Sequence, residues 1–164
     1  MHFLTQELAI DLGTANTVIF QNDSIVLDEP SIIAKELKTD NVIAVGNEAQ
    51  QMEEHTNPGI ITVRPLMNGV IADYDAAEQM LTGFIKKAIK RKKSLFSPAL
   101  KIVVGIPGGS TKVDMRSIRD SAEHAGAHDL YLIYEPMASA LGVGLKVNEA
   151  NGNMIVDIVA ERPR

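Results

Sequence analysis

The 164-residue chain contains no cysteine. Disulfides and thiolate metal sites are therefore excluded, and a reducing compartment suits such a chain. No apolar run approaches transmembrane length, so no spanning helix is expected. The opening Met1-His2-Phe3-Leu4 is too short for a secretory signal, and the expectation is a cytoplasmic protein. Internal repeats and low-complexity tracts are also missing. Nor is there an excess of positive charge: a net charge of −5 gives no general case for a nucleic-acid partner. What is present is globular in kind. Hydrophobic residues make up 45% and charged residues 23%, and the length is enough to bury one real core.

The most informative stretch is Leu8-Ala9-Ile10-Asp11-Leu12-Gly13-Thr14-Ala15-Asn16-Thr17, followed by Val18-Ile19-Phe20. An apolar run enters a turn with an acid, one glycine and several hydrogen-bonding side chains, and a β-branched run leaves it, which predicts a β-hairpin. Gly13 permits a close backbone approach, and successive N–H groups at such a turn make a concavity suited to phosphate oxygens. Asp11, expected at the end of a buried strand, is costly there without a compensating cation or donors. Hydrated magnesium would compensate it, because that ion keeps most of its waters and needs few protein oxygens. An ordinary hairpin with an Asp turn fits the same residues equally well.

Further along, Gln21-Asn22-Asp23-Ser24 is a cluster of turn formers and Ile25-Val26-Leu27 a third strand. Glu29-Pro30 interrupts the pattern, 31–35 and 42–45 read as a pair of strands, and 46–56 as a polar helix anchored by Ala49 and Met52. The clearest helix begins at Asp75, a good N-cap with Glu78 at the capping-box position. Its apolar face is Ala77, Met80, Leu81, Phe84, Ile85, Ala88 and Ile89. Its end is basic: Lys86, Lys87, Lys90, Arg91, Lys92 and Lys93, with Leu95-Phe96 directly after. Some of these cations could simply offset the helix dipole, and Leu95 and Phe96 could be core. Six cations in eight residues, followed by an apolar tip, also fit an anionic membrane surface. Residues 101–106 read as a strand buried on both faces. Ser110 or Thr111 caps a helix carrying Met115, Ile118, Ala122 and Ala125, Gly126 closes it, and 130–133 is the next strand. This unit calls for parallel pairing, so the fold class is α/β with a mixed sheet. Glu135-Pro136 then opens a helix, with Pro136 at its first position.

Asp11-Leu12-Gly13-Thr14-Ala15-Asn16-Thr17 resembles the first phosphate loop of the actin-like ATPases, in the form found in the MreB family of bacterial rod-shape proteins. The resemblance continues through Asp28-Glu29-Pro30-Ser31, Arg64-Pro65-Leu66, Gly69-Val70-Ile71-Ala72-Asp73-Tyr74 and Glu135-Pro136-Met137-Ala138, covering about residues 7–158. It implies an actin-like ATPase domain I, with a core of 1–32 and 64–153 and a small inserted subdomain at 33–63. It implies ATP and Mg as cofactors, with phosphates held by Gly13, Thr14, Ala15 and Asn16. The metal would be held by Asp11, through water, and by Asp157. Glu135 would be the catalytic residue that orients the attacking water. The 86–96 patch, Lys86 to Lys93 with Leu95 and Phe96, would be a membrane site. The implied partners are further copies in a filament, an anionic membrane at the inner face of the cell membrane, and the cell-wall elongation machinery. A chaperone-type ATPase or sugar kinase of the same superfamily, or a non-catalytic membrane or interaction module, are the alternatives.

Residues 154–158 are expected to begin the first strand of a second domain. There the family continues into Gly-Gly-Gly-Thr-Thr-Glu, whereas this chain reads Val159-Ala160-Glu161-Arg162-Pro163-Arg164. The genetic code permits this tail to be spelled with the codons GTG GCG GAA CGA CCG AGG, a choice it allows and does not force. With one G in front they regroup as GGT GGC GGA ACG ACC GAG, the family motif. The expectation is therefore a chain truncated before domain II, by a frameshift or as a natural short paralogue, with nucleotide binding weak or absent and ATPase activity lost.

Overall fold

The computed structural model describes residues 5–55, 58–89, 99–150 and 152–156. Strands β1 (Thr5–Leu12), β2 (Asn16–Gln21) and β3 (Ser24–Pro30) form the expected antiparallel meander. Asn22 and Asp23, both at positive φ, make the tight turn between β2 and β3. Strands β9 (Ala99–Ile106) and β10 (Asp129–Tyr134) add to β1 in parallel, giving the order β10-β9-β1-β2-β3. The meander does not stop before Pro30. That residue closes β3, an edge strand, where a missing N–H costs no ladder bond.

Period-two alternation turns Leu8, Ile10 and Leu12 of β1 and Leu100, Ile102, Val104 and Ile106 of β9 to one face. Helices α2 (Tyr74–Ala88) and α3 (Lys112–His124) share a single core with that face through Met80, Leu81, Phe84, Ile85, Ile118 and Ala122. The expectation that β9 is buried on both faces is not met. Val103 is 37% exposed, in a row with Ala9, Phe20 and Tyr131 on the other side of the sheet. A continuous apolar run cannot tell a covered second face from an open one, and here the second face is open.

Helix α2 starts earlier than its composition suggests. Its N-cap is Asp73, whose carboxylate accepts from the Ala76 N–H at 3.0 Å, while Asp75 lies inside the first turn. Glu78 instead meets His124 on α3. For α3 the capping box is complete: Thr111 Oγ1 accepts from Asp114 N, and Asp114 accepts from Thr111 N at 2.7 Å. Tyr74 donates to the same buried carboxylate at 2.9 Å. Burial pushes the Asp114 pKa up, but the hydrogen bonds from the Thr111 backbone, the Thr111 hydroxyl and Tyr74 outweigh it, and the net direction is down. A depressed folded pKa contributes stability that is present above the ordinary value of 3.8 and is lost as pH falls through the folded value. Asp114→Asn is expected to lower stability by about 1.5–3 kcal/mol at neutral pH. It should also flatten the acid limb of the stability–pH profile below about pH 4. Urea titrations at stepped pH measure both.

Strands β4 (Ile33–Glu36), β5 (Val42–Val45) and β6 (Ile60–Val63) make a second sheet in the order β5-β4-β6. Helix α1 (Asn47–Glu54) closes it over Ile32, Ala34, Ala44 and Ala49. These elements occupy the stretch 33–63 expected as an insert. A two-strand hairpin follows, β7 (Leu66–Met67) and β8 (Val70–Ile71), turned by Asn68 and Gly69 at positive φ. The last helix among the described residues is α4 (Glu135–Gly142), with Pro136 in its first turn. Residues 152–156 form no strand, and Met154 and Val156 are 85% and 72% exposed. A strand exists only against a neighbour, and no described edge pairs with this segment.

Candidate functional site

The β1–β2 turn sits where the sheet changes from parallel to antiparallel pairing. Its conformation is held from both sides. Ser31 N donates to Ala15 O at 2.9 Å and Ser31 Oγ to Gly13 O at 2.6 Å. Thr17 Oγ1 lies 3.0 Å from Ser31 Oγ, and both residues are fully buried. From the opposite side, Gly69 N donates to Thr14 Oγ1 at 2.8 Å, tying the loop to the β7–β8 turn. Glycine is required at position 13, because a Cβ there would stand 2.6 Å from the Asn16 backbone oxygen.

The loop opens onto a groove of about 800 Å³ over the uncovered face of the sheet. Asp11, Gly13 and Thr14 line one part of it, and Glu135, Ala138, Ser139 and Leu141 of α4 line another. Between them lies Gly105. It pairs with Asp11 on one side and with Ile133 on the other, and a Cβ at Gly105 would stand 3.5 Å from Glu135 Cγ. Gly105 thus places no side chain of its own beside Asp11 or against Glu135. The structure therefore brings Asp11, Gly13, Thr14 and Glu135 to one groove.

Some expected site residues are placed differently. Asp11 is not in a buried position: alternation along β1 sends Ile10 and Leu12 inward and leaves Asp11 exposed on the groove side. Its charge there needs less compensation than a buried carboxylate would. Asn16 turns its side-chain amide away to Asp28 on β3, at 2.9 Å, because β2–β3 pairing sets the two residues near each other. Lys87, expected among the membrane cations, is committed elsewhere. Its ammonium donates to Glu29 Oε2 and to Val45 O, both at 2.9 Å, and lies 3.6 Å from Glu48. It faces the insert because a helix of this pitch carries residue 87 to the same side as Gly83 and Phe84, which abut Val45 and Gly46. Lys86 is exposed. Lys90, Arg91, Lys92, Lys93, Leu95, Phe96 and Asp157 lie outside the described residues. Among the described residues no cluster of three or more potential metal ligands occurs, and no helix is long and apolar enough to cross a membrane.

Sequence reasoning did not single out Ser31, Gly69 or Gly105. Ser31 and Gly69 fall in the stretches that carry the family resemblance, which was the available signal. Gly105, inside an apolar strand, could have been read as a place where something approaches the backbone closely.

A mixed five-stranded sheet with a small sheet inserted after the meander is the architecture of actin-like domain I. A subunit of the MamK double helical filament matches it with a TM-score of 0.68, over 85% of this chain and 43% of that one, at 19% identity. That likeness speaks for the fold alone. The sequence also matches the MreB/Mbl protein family over residues 5–162, and the chain belongs to that family. It is 45% identical over 161 residues to the cell shape-determining protein MreB of Escherichia coli (strain K12), spanning 94% of this chain and 45% of that protein. The crystal structure of MreB5 of Spiroplasma citri bound to ADP matches with a TM-score of 0.70 at 30% identity, over 87% of this chain and 42% of that one. The chain thus spans less than half the length of the relatives it matches. Membership of this family decides against a chaperone-type ATPase or a sugar kinase.

Proposed function

We propose that this chain carries the first phosphate loop of the ATP site of a bacterial actin-like filament protein that sets rod shape at the inner face of the cell membrane. The observation that supports it best is that the β1–β2 loop and Glu135 line one groove, separated by a residue with no side chain. A groove of about 800 Å³ is of a size that takes a nucleotide, and the glycine cradle at 13 fits an anion held by backbone donors. In this reading Gly13, Thr14, Ala15 and Asn16 hold phosphate oxygens, Asn16 through its backbone because its side chain serves Asp28. Asp11 faces a hydrated magnesium ion, assisted by Asp157. Bound magnesium would supply charge neutralisation on the phosphates. Glu135 orients the attacking water, a positioning role suited to a half-buried carboxylate at a strand end.

The reading extends to the division into a core of 1–32 and 64–153 with an insert at 33–63. It also covers self-association into filaments, contact with the cell-wall elongation machinery and attachment to anionic lipid through the 86–96 segment. For that attachment Lys86 and the cations from Lys90 onward are the ones to count. Lys87 is not, since its charge is already neutralised by Glu29.

The test is a titration with ATP, in the presence and absence of magnesium, of a chain carried on from Ile158 into Gly-Gly-Gly-Thr-Thr-Glu. Asp11→Ala should weaken magnesium-dependent binding about tenfold or more and leave magnesium-free binding unchanged. Glu135→Ala should reduce hydrolysis more than affinity. No ATP-dependent change at residues 11–16 in that longer chain would refute the proposal.

A further inference from the structure

We infer that Thr17 and Ser31 form a buried hydroxyl relay that presets the peptide between Gly13 and Thr14 as an anion-facing donor. The inference rests on the phosphate-loop reading above and adds two positioning residues to it. Ser31 Oγ has one proton, and its 2.6 Å bond to Gly13 O uses it. The 3.0 Å contact between Thr17 and Ser31 must then run with Thr17 as donor. The order is Thr17 O–H to Ser31 O–H to Gly13 C=O. Hydrogen bonds in such a chain polarise one another, more so where water is excluded, and both hydroxyl residues are 0% exposed.

The consequence follows from peptide geometry. No peptide bond among the described residues is cis, and in a planar trans peptide the N–H points opposite to the C=O. Pinning Gly13 O inward to buried Ser31 aims the Thr14 N–H outward, toward the groove that Gly13 and Thr14 line. One step on, Ala15 O is likewise pinned by Ser31 N, which turns the Asn16 N–H to the opposite side of the chain, although Asn16 does not itself line the groove. Drawing electron density onto the Gly13 oxygen also makes the Thr14 N–H of that peptide a stronger donor. One buried residue, Ser31, thereby orients two donors and polarises one of them.

The experiment uses isotope-labelled 164-residue chain, with Mg-ADP as the probe. In Ser31→Ala the Gly13 carbonyl carbon and the Thr14 amide proton should both move upfield before any ligand is added. Mg-ADP affinity should fall about tenfold. Thr17→Val keeps the bond from Ser31 to Gly13 and removes only the upstream donor. It should shift both signals in the same direction by less and cost about threefold in affinity. A folded Ser31→Ala with unmoved Gly13 and Thr14 signals, or with wild-type affinity, overturns the relay. If Ser31→Ala does not fold, Thr17→Val decides by the same two readouts. If the 164-residue chain shows no response to Mg-ADP at 13–16, affinity is read in the chain carried on from Ile158 into Gly-Gly-Gly-Thr-Thr-Glu, and no response there makes the nucleotide reading fail. The ligand-free signals then still decide the relay, supporting it if they move upfield and overturning it if they do not.

Discussion

Gly46→Ala is expected to cost about 3–5 kcal/mol, a large share of the roughly 5–15 kcal/mol that holds an ordinary domain folded. Gly46 has φ 68 and ψ −132, a combination that residues with a Cβ rarely adopt, and forcing one there costs on the order of 1–3 kcal/mol. The space is occupied as well. A Cβ would overlap Glu29 Oε2 and stand 2.8 Å from Phe84 Cε1, and overpacking of this kind adds about 1–3 kcal/mol. Neither neighbour can step aside cheaply. Glu29 Oε2 accepts from Lys87 Nζ and from Asn47 N, the first free N–H of α1. It does for that helix what an N-cap side chain does elsewhere, since Gly46 has none. Phe84 is fully buried in the main core. Equilibrium unfolding in urea measures the loss. A variant within about 1 kcal/mol of wild type would mean that the joint between the insert and α2 is far looser than its contacts indicate.

That joint shows where reading the chain as a string falls short. The basic end of α2 looks uniform in sequence, and nothing local separates Lys87 from Lys86. Only the approach of Val45, Gly46 and Glu29 makes one a structural tie and leaves the other exposed. What is set within a few residues was legible. The β1–β2 hairpin follows from two apolar and β-branched runs flanking a turn, the inner face of α2 from its spacing, and the start of α3 from the hydroxyl pair Ser110-Thr111, of which Thr111 is the cap. What depends on a distant partner was not. Strands of two residues such as β7 and β8 are too short to show a period, and they exist because they pair with each other.

The candidate site divides in the same way. Asp11, Gly13, Thr14 and Glu135 could be named because their residue types and family pattern point to phosphate chemistry. Their convergence is set by the register of three strands, Asp11 on Gly105 and Gly105 on Ile133, with Glu135 two residues further on. The bond from Gly69 to Thr14 spans 55 residues. The bonds from Ser31 depend on β3 lying beside β2 rather than on any spacing in the chain.

Gly13→Ala should have the largest effect on ligand binding of any single methyl added to this protein. The new Cβ would lie 2.6 Å from a backbone oxygen, that of Asn16, so no rotamer change can relieve the contact and the loop itself must shift. It is not free to shift, being fixed at Gly13 O and Ala15 O by Ser31 and at Thr14 Oγ1 by Gly69. At least one of these bonds must lengthen, and the N–H groups they orient turn off their target. The expected stability cost is about 1–3 kcal/mol. Two misdirected donors to a charged oxygen, at about 1.5–3 kcal/mol each, predict a loss of affinity for Mg-ATP of roughly 100-fold or more. Gly108→Ala is the matched control. A Cβ there meets nothing within 4 Å, and both stability and affinity should stay at wild-type values. Calorimetric titration of the two variants side by side separates a loop-specific loss from a general one. Wild-type affinity in a folded Gly13→Ala protein would show that the phosphates are held somewhere else.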